Sequence, residues 1–217
     1  MSDSESRKGH GYATPEILDW LDRLHAAHDA PLEDAFDAPG RHGMPAIQLG
    51  PSEARLLELL LGIAEARRVV EIGTLAGYSA IRIARALPAD GRLWTIEADP
   101  RHAAVARENL LAAGLSDRVT LLEGEALDVL PSLERHAPFD AVFVDADKGN
   151  YDAYGRWATR SLRPGGLLLG DNAYLFGGLM ERNDEAAAMR RFHEEAALHF
   201  DTVCIPTPDG LLLGVKR

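Results

Sequence analysis

The sequence predicts an α/β protein whose sheet is mostly parallel and covered by helices on both faces. From about residue 67 onward, short apolar segments alternate with longer helical segments. The apolar segments are nearly continuous in hydrophobicity, which is typical of strands buried on both faces of a sheet. Aromatic residues make up only 6% of the chain, and the abundance of alanine and leucine favours a helix-rich α/β protein over an all-β one.

The length of 217 residues predicts one large domain with a small extension. We divide it into residues 1–45, an N-terminal tail and helix that could act as a lid or dimer arm, and residues 46–217, the main domain. Residues 1–12 are polar and expected to be disordered. A helix is predicted over 14–29, where Thr14 can cap and Pro15 takes the first helical position. Residues 30–45 contain three prolines and two glycines and are predicted to be a loop.

The main domain is predicted to alternate between strands and helices. The strands are expected at 67–73, 92–99, 118–124, 139–147, 165–172, 201–207 and 211–217. The helices are expected at 51–66, 77–88, 100–114, 125–136, 150–162 and 184–199. Asp209 and Gly210 separate the last two strands and predict a tight hairpin, which places an antiparallel strand at or near one edge of the sheet.

Composition disfavours several classes of function. The net charge of −11 gives no general support for a nucleic-acid-binding surface. The single cysteine, Cys204, cannot form an internal disulfide, which fits a reducing compartment. The N-terminus has no apolar segment typical of a secretory signal, and no segment approaches the roughly 20 apolar residues of a membrane span. We therefore expect a cytoplasmic protein that does not enter the membrane.

The ends of the first two strands indicate a nucleoside site, because ligands of parallel sheets bind outside the carboxyl ends of strands. Glu71 closes the first strand, and Gly73 and Gly77 follow with G-x-x-x-G spacing. The bulkier residues between these glycines suit a nucleoside without phosphates better than a pyrophosphate. An ordinary strand–helix turn explains the loop equally well. Glu97 ends the second strand and could accept hydrogen bonds from both ribose hydroxyls, or it could be a solvated acid.

The end of the third strand carries Glu123, Gly124, Glu125 and Ala126. Small residues at this position could allow an adenine ring to lie close to the backbone. Alternatively, Glu125 simply stabilises the positive N-terminus of the following helix.

Polar side chains also follow the fourth and fifth strands. Asp145, Asp171 and Asn172 offer three hard oxygen donors that suit Mg²⁺, Mn²⁺ or Ca²⁺, with coordination positions left for water or substrate. Asp147 and Lys148 accompany them. Taken alone, Lys148 is best explained by a salt bridge to Asp147 or Asp152. The chain's His25, His28 and His42 are expected to be surface residues.

Four segments together carry a family resemblance: "VVEIGTLAGYSA", "GEAL", "FVDADKGNY" and "RPGGLLLGDN". The chain resembles the cation-dependent, S-adenosylmethionine-dependent O-methyltransferases of the caffeoyl-CoA and catechol type, especially their small bacterial members. The resemblance covers about residues 45–217 in order. Its most specific part is "DADKxNY" followed by "GGLLxxDN".

The resemblance implies a Rossmann-like class I methyltransferase fold with seven strands and an antiparallel hairpin at the C-terminal edge. It also implies transfer of a methyl group from S-adenosylmethionine to a vicinal-diol aromatic small molecule, with a divalent cation, most simply Mg²⁺, and a homodimer. The implied metal ligands are Asp145, Asp171 and Asn172. Lys148 would be the catalytic base. The implied cofactor contacts are Glu71, Gly73, Ser79, Glu97, Ala126 and Asp147.

The chain departs from the family pattern on the side of the methyl acceptor. Ile47 stands where the family has a methionine, and Ala54 where it has a glycine. Leu175 takes the position of a tryptophan that lies near the acceptor site in the family. The departures leave the metal and methyl-donor residues in place, and the identity of the acceptor stays open.

Three other functions remain open at this stage. A tRNA 5-hydroxyuridine methyltransferase would need a local basic patch, for which Arg182, Arg190 and Arg191 are candidates. An NAD-dependent oxidoreductase could use Glu97, but the chain has no G-x-G-x-x-G and no Tyr-x-x-x-Lys pair. A non-catalytic nucleoside-binding module would leave the carboxylates and Lys148 without a purpose.

Overall fold

The computed structural model describes residues 13–217. The expected disorder of residues 1–12 lies outside this range. Eight α-helices are present in the described chain: α1 (Pro15–His25), α2 (Ala30–His42), α3 (Pro51–Ile63), α4 (Tyr78–Ala86), α5 (Pro100–Ala112), α6 (Ala126–Leu133), α7 (Tyr151–Ser161) and α8 (Asp184–His199). Short 3₁₀ turns lie at Glu134–His136, Lys148–Asn150 and Leu175–Gly177.

Seven strands form a single sheet, which confirms the predicted fold class. They are β1 (Arg68–Ile72), β2 (Arg92–Glu97), β3 (Val119–Glu123), β4 (Phe139–Val144), β5 (Leu162–Gly170), β6 (Phe200–Ile205) and β7 (Leu211–Lys216). Their order across the sheet is β3-β2-β1-β4-β5-β7-β6. The first five strands pair in parallel, and β7 lies between β5 and β6, antiparallel to both. The predicted C-terminal hairpin is therefore confirmed.

The strand order reverses between β1 and β4. From β1 the chain continues outward to β2 and β3, and from β4 it continues outward on the other side. The helices that follow β1 and β4 therefore diverge and leave a crevice at the carboxyl ends of these strands. Gly73 makes the close approach possible: its φ is +95°, and a Cβ there would lie 1.9 Å from the carbonyl oxygen of Asp145.

Both faces of the sheet are buried, which explains why the strands are apolar throughout. In β4, Val142 and Val144 pack into a core that includes residues of α6, α7 and α8. Ala141 and Phe143 point the other way, into a second core that includes residues of α3 and α4. Successive side chains along each strand still point to opposite faces of the sheet, but both faces pack against apolar side chains.

The predicted loop over residues 30–45 is wrong, because residues 30–42 form helix α2. The Asp29 side chain caps this helix by accepting a hydrogen bond from the backbone N–H of Leu32 at 3.2 Å. Gly43 ends it in a left-handed conformation, with φ of +64°. The burial of Leu32, Ala35 and Ala38 stabilises the helix enough to offset its internal proline. The preceding helix accordingly ends at His25, before the position predicted for it.

Among residues 13–217, no helix combines the length and apolar character needed to span a lipid bilayer.

Candidate active site

A cleft of about 800 Å³ opens at the carboxyl ends of β1, β2, β3 and β4. Segments from several parts of the chain line it: 45–49, 72–76, 96–98, 124–126 and 145–148, together with Tyr78, Ser79, His102, Tyr154, Asn172, Phe176 and Asp209. The cleft therefore lies at the reversal of strand order, where the sequence places its candidate residues.

The structure brings the ten predicted site residues to this one region. Eight of them line the cleft: Gly73, Ser79, Glu97, Ala126, Asp145, Asp147, Lys148 and Asn172. Glu71 and Asp171 are buried directly behind its wall, with exposures of 0% and 4%.

Glu97 organises the loop after β1. Its Oε2 accepts hydrogen bonds from the backbone N–H groups of Thr74, at 3.2 Å, and Leu75, at 2.8 Å. Its Oε1 accepts one from the N–H of Asp99 at 3.0 Å. A carboxylate has about four acceptor positions, so Glu97 can still accept a hydroxyl donor from the cleft. Leu75 has φ of +51°, a strained conformation that these contacts help to maintain.

Glu71 is a fully buried acid with one unused oxygen. The Thr95 hydroxyl donates to Oε2 at 2.6 Å, whereas Oε1 is buried without a partner. Burial raises the pKa of Glu71 to about 8, although the hydrogen bond from Thr95 and the nearby Ser79 hydroxyl oppose the shift. A cationic group in the cleft beside Glu71 would compensate the ionised carboxylate.

Asp147 is held by two neighbours that the sequence analysis did not identify. The Tyr154 hydroxyl donates to Oδ1 at 2.5 Å, and the Asn150 amide donates to Oδ2 at 2.7 Å. Tyr154 lies one turn into α7, so the "NYxxY" spacing was the available signal. Its ring also lines the cleft, which makes it a positioning residue for Asp147.

Lys148 lies between the carboxylates and the core. Its Nζ is 3.3 Å from Oδ1 of Asp145 and 3.0 Å from the hydroxyl of Tyr151. This pairing differs from the salt bridge to Asp147 or Asp152 expected from the residues alone. Tyr151 is fully buried, and burial raises its pKa well above the usual value. Tyr151 therefore stays protonated and fixes the position of the Lys148 amine.

The acidic end of the cleft suits a divalent cation. The carboxylate of Asp171 receives no hydrogen bond from any side chain in residues 13–217. Burial raises its pKa to about 8, and the carboxylates of Asp145, Asp209 and Glu53 add to this effect. Burial also raises the pKa of Asp145, which Lys148 partly opposes. Oxygen donors that are this crowded and this poorly compensated fit a hard cation such as Mg²⁺.

Sequence reasoning missed two acids at this end. Asp209, in the turn between β6 and β7, was assigned only a role in the hairpin. It accepts a hydrogen bond from the Asn172 amide. Glu53 lies in the first turn of α3 and accepts the N–H of Gly50 at 3.2 Å. Carboxylate oxygens of Glu53, Asp171 and Asp209 all lie within 4.8 Å of one another.

One side of the cleft is apolar and open. Ile47 and Phe176 line it and are 71% and 72% exposed. Leu175, which takes the family's tryptophan position, is instead 7% exposed and packs into the core. The aromatic side chain at this wall is therefore supplied by Phe176, one residue later.

The expected surface position of His28 is wrong. Its side chain is 9% exposed, and its Nε2 is 2.7 Å from the hydroxyl of Tyr78. His28 follows α1 and Tyr78 begins α4, so this contact ties the N-terminal helices to the wall of the cleft. His25 and His42 are exposed, as predicted.

A seven-stranded sheet of this order, with a nucleoside-sized cleft and acids at the ends of β1 and β2, defines a class I methyltransferase. Comparison with known proteins identifies the family. A model of the O-methyltransferase family matches residues 25–217. The catechol O-methyltransferase of Mycobacterium tuberculosis is 43% identical over 212 residues, covering 94% of this chain and 96% of the relative. That of Niastella koreensis is 43% identical over 179 residues, covering 80% and 81%.

A solved structure agrees with the sequence relatives. The O-methyltransferase from Bacillus cereus in complex with SAH superposes with a TM-score of 0.89 and 34% identity, covering 93% of this chain and 97% of that one. The chain therefore belongs to the S-adenosylmethionine-dependent O-methyltransferases of the caffeoyl-CoA and catechol type.

Proposed function

We propose that the protein transfers a methyl group from S-adenosylmethionine to one hydroxyl of a catechol-like aromatic small molecule, with help from a divalent cation. The observation that carries this proposal is the position of Lys148. Its amine lies 3.3 Å from Oδ1 of Asp145, and Lys148 lines the same cleft as the predicted donor residues. A proton acceptor at that place can serve an acceptor hydroxyl that faces the methyl donor.

The donor end would be held by Glu71, Gly73, Ser79, Glu97, Ala126 and Asp147. Glu97 would accept the ribose hydroxyls, for which it retains acceptor capacity. Glu71 and Asp147 would face the positively charged methionine part of the donor. S-adenosylmethionine supplies an electrophilic methyl group on a sulfonium, so the protein needs only to hold the donor and acceptor in line.

The acceptor end would use Asp145, Asp171 and Asn172 to hold the cation, for which Mg²⁺, Mn²⁺ and Ca²⁺ are all suitable. Such a cation supplies Lewis acidity that lowers the pKa of a bound hydroxyl. Lys148 would take the proton of that hydroxyl, while Tyr151 keeps its amine in place. Ile47 and Phe176 would cover the faces of an aromatic ring.

The direct test is methyl transfer to 3,4-dihydroxybenzoic acid, with Mg²⁺ and then with EDTA. The matched control acceptor is 4-hydroxybenzoic acid, which has one hydroxyl and cannot chelate. We expect a methylated product only from the diol and only with the cation. Full activity in EDTA would contradict the role of the metal. Methylation of bulk tRNA in preference to both acids would favour the tRNA alternative.

We also infer that the protein forms a homodimer through α1. Ile17, Trp20 and Leu24 are exposed on this helix, and α1 contributes no buried residue. Glu16 lies in its first turn and Arg23 in its last. Two copies packed antiparallel would bury the apolar side chains and place opposite charges together, which gives a self-complementary interface.

Sedimentation equilibrium tests this interface with the variant Trp20→Glu. The control is Leu111→Glu, which changes another exposed apolar residue, on α5. We expect only Trp20→Glu to give a monomer. A wild-type monomer at every concentration would refute the dimer.

A further inference from the structure

The carboxylates of Glu53 and Asp209 carry an inference beyond the family's three metal ligands. Both belong to segments remote in sequence from "DAD" and "GDN". Glu53 begins α3, and Asp209 occupies the turn between β6 and β7. The fold brings both to the buried Asp171, where oxygens of the three side chains lie within 4.8 Å of one another.

This spacing is that of ligands around one ion. Oxygen ligands lie about 2.0–2.6 Å from Mg²⁺ or Ca²⁺, so two ligands on opposite sides of an ion are roughly 4–5 Å apart. Asp145 is not a member of this group and pairs with Lys148 instead. The group is therefore centred closer to α3 and to the β6–β7 turn than the three-ligand set predicts.

The two acids share a further feature: each has one oxygen engaged and one unused. Oε2 of Glu53 accepts the N–H of Gly50, and Oε1 is buried without a partner. Oδ2 of Asp209 accepts the amide of Asn172, and Oδ1 is buried without a partner. Buried carboxylate oxygens are expensive unless they are hydrogen-bonded or bound to a cation.

Asp171 gives the independent indication that a ligand belongs here. Asp171 is only 4% exposed, yet no side chain of the described range donates a hydrogen bond to its carboxylate. The basic side chain near this end, Lys148, contacts Asp145 and Tyr151. The surrounding protein thus supplies carboxylates without supplying the positive charge that would balance them.

We propose that Glu53 and Asp209 join Asp171 as direct ligands of the divalent cation. The cation then connects the strand ends that carry Asp145 and Asp171 with the first turn of α3 and the β6–β7 turn. Because Glu53 also caps the helix through Gly50, the cation holds the end of the 45–49 segment that lines the acceptor side. This proposal rests on the proposed function for the presence of a cation.

The test is Mn²⁺ binding to the purified protein, followed by electron paramagnetic resonance of the free ion. Glu53→Gln and Asp209→Asn each remove one charge and retain a carbonyl oxygen for Gly50 or Asn172. Removal of a residue that only hydrogen-bonds to a metal ligand lowers metal affinity by about 10–100-fold. Removal of a direct ligand is therefore expected to weaken Mn²⁺ binding by at least 10-fold. Glu125→Gln is the matched control, because it removes a charge at the donor end of the same cleft.

Each outcome decides a separate point. Weaker Mn²⁺ binding in both variants, with unchanged binding of S-adenosylmethionine by calorimetry and an unchanged Glu125→Gln control, supports the proposal. Wild-type Mn²⁺ affinity in both variants refutes the added ligands. If Asp171→Asn abolishes Mn²⁺ binding in the same experiment, the proposed function still stands. Absence of Mn²⁺ binding in the wild type overturns both the extended site and the cation.

Discussion

Replacement of Glu71 by glutamine should change how the stability of the unliganded protein depends on pH. The buried carboxyl has a folded-state pKa of about 8, against 4.5 when unperturbed. A raised pKa means that the folded state holds a proton that the unfolded state releases. The contribution of Glu71 to stability is therefore fully present below pH 4.5 and is lost as pH rises toward 8.

The size of the effect follows from the two pKa values. Between pH 6 and pH 9, Glu71 should lower the free energy of unfolding of the wild type by about 2.5 kcal/mol. Glutamine keeps an oxygen for the Thr95 hydroxyl and has no charge to bury. The variant should therefore lack this pH-dependent decrease in the free energy of unfolding. For a chain of this size the difference corresponds to roughly 5–10 °C in melting temperature. Asp171 titrates in both proteins, and its contribution cancels in the comparison.

The assay is urea unfolding of wild type and Glu71→Gln at pH 6 and pH 9, in the absence of methyl donor and with EDTA. The control is Glu108→Gln on α5, which is exposed and should keep the wild-type pH dependence. If wild type and Glu71→Gln lose equal stability between the two pH values, then Glu71 is not protonated in the folded protein. That result would refute a role for Glu71 beside a cationic ligand.

The remaining predictions concern the proposed base, the close approach of Gly73 to Asp145, and the proposed cation. Lys148→Ala should lower turnover by about 10²–10⁴-fold while leaving the dissociation constant of S-adenosylmethionine unchanged; equal turnover would remove Lys148 from the mechanism. Gly73→Ala should destabilise the protein by about 2–5 kcal/mol in urea unfolding, from its positive φ and a backbone clash. Gly62→Ala, where a Cβ meets nothing within 4 Å, should not destabilise it. Because burial raises the pKa of Asp171 to about 8, Mn²⁺ affinity should increase from pH 6.5 to 8.5 as protons leave; a constant affinity would contradict a protonated site.

The sheet could be predicted because the information that specifies it is local. Each parallel strand is buried on both faces, so it appears in the sequence as a short apolar segment such as "RVVEI" or "FDAVFV". Helix α2 was missed because its prolines and glycines suggested a loop. Pro31 and Gly43 lie at the helix ends, where such residues are well tolerated. What stabilises α2 is the packing of Leu32 and Ala35 against the rest of the protein, and sequence composition does not show this packing.

The candidate site likewise contains residues that could be predicted from the sequence and residues that could not. Residues directly after parallel strands, such as Glu97, Asp145 and Asp171, must converge, because those strand ends share one edge of the sheet. Phe176 lines the cleft from a 3₁₀ turn, and Glu53 reaches Asp171 and Asp209 from the start of a helix. The positions of both segments depend on tertiary packing. Neither residue has a local signal in the sequence. The acidic end of the cleft was therefore predicted with fewer acids than the structure places there.

The distribution of buried charge adds a second line of support for the proposed function. Away from the cleft, the buried acid Asp152 is paired with Arg156 and Arg191. At the cleft, Glu71 and Asp171 are buried without a basic partner in the described chain, and burial raises the pKa of each to about 8. Natural proteins tend to depart from the pairing of buried charges at their functional sites. Both proposed ligands are positively charged, the donor through its sulfonium and ammonium groups and the metal through its two charges. Their binding would compensate the two carboxyl groups that the fold leaves unpaired.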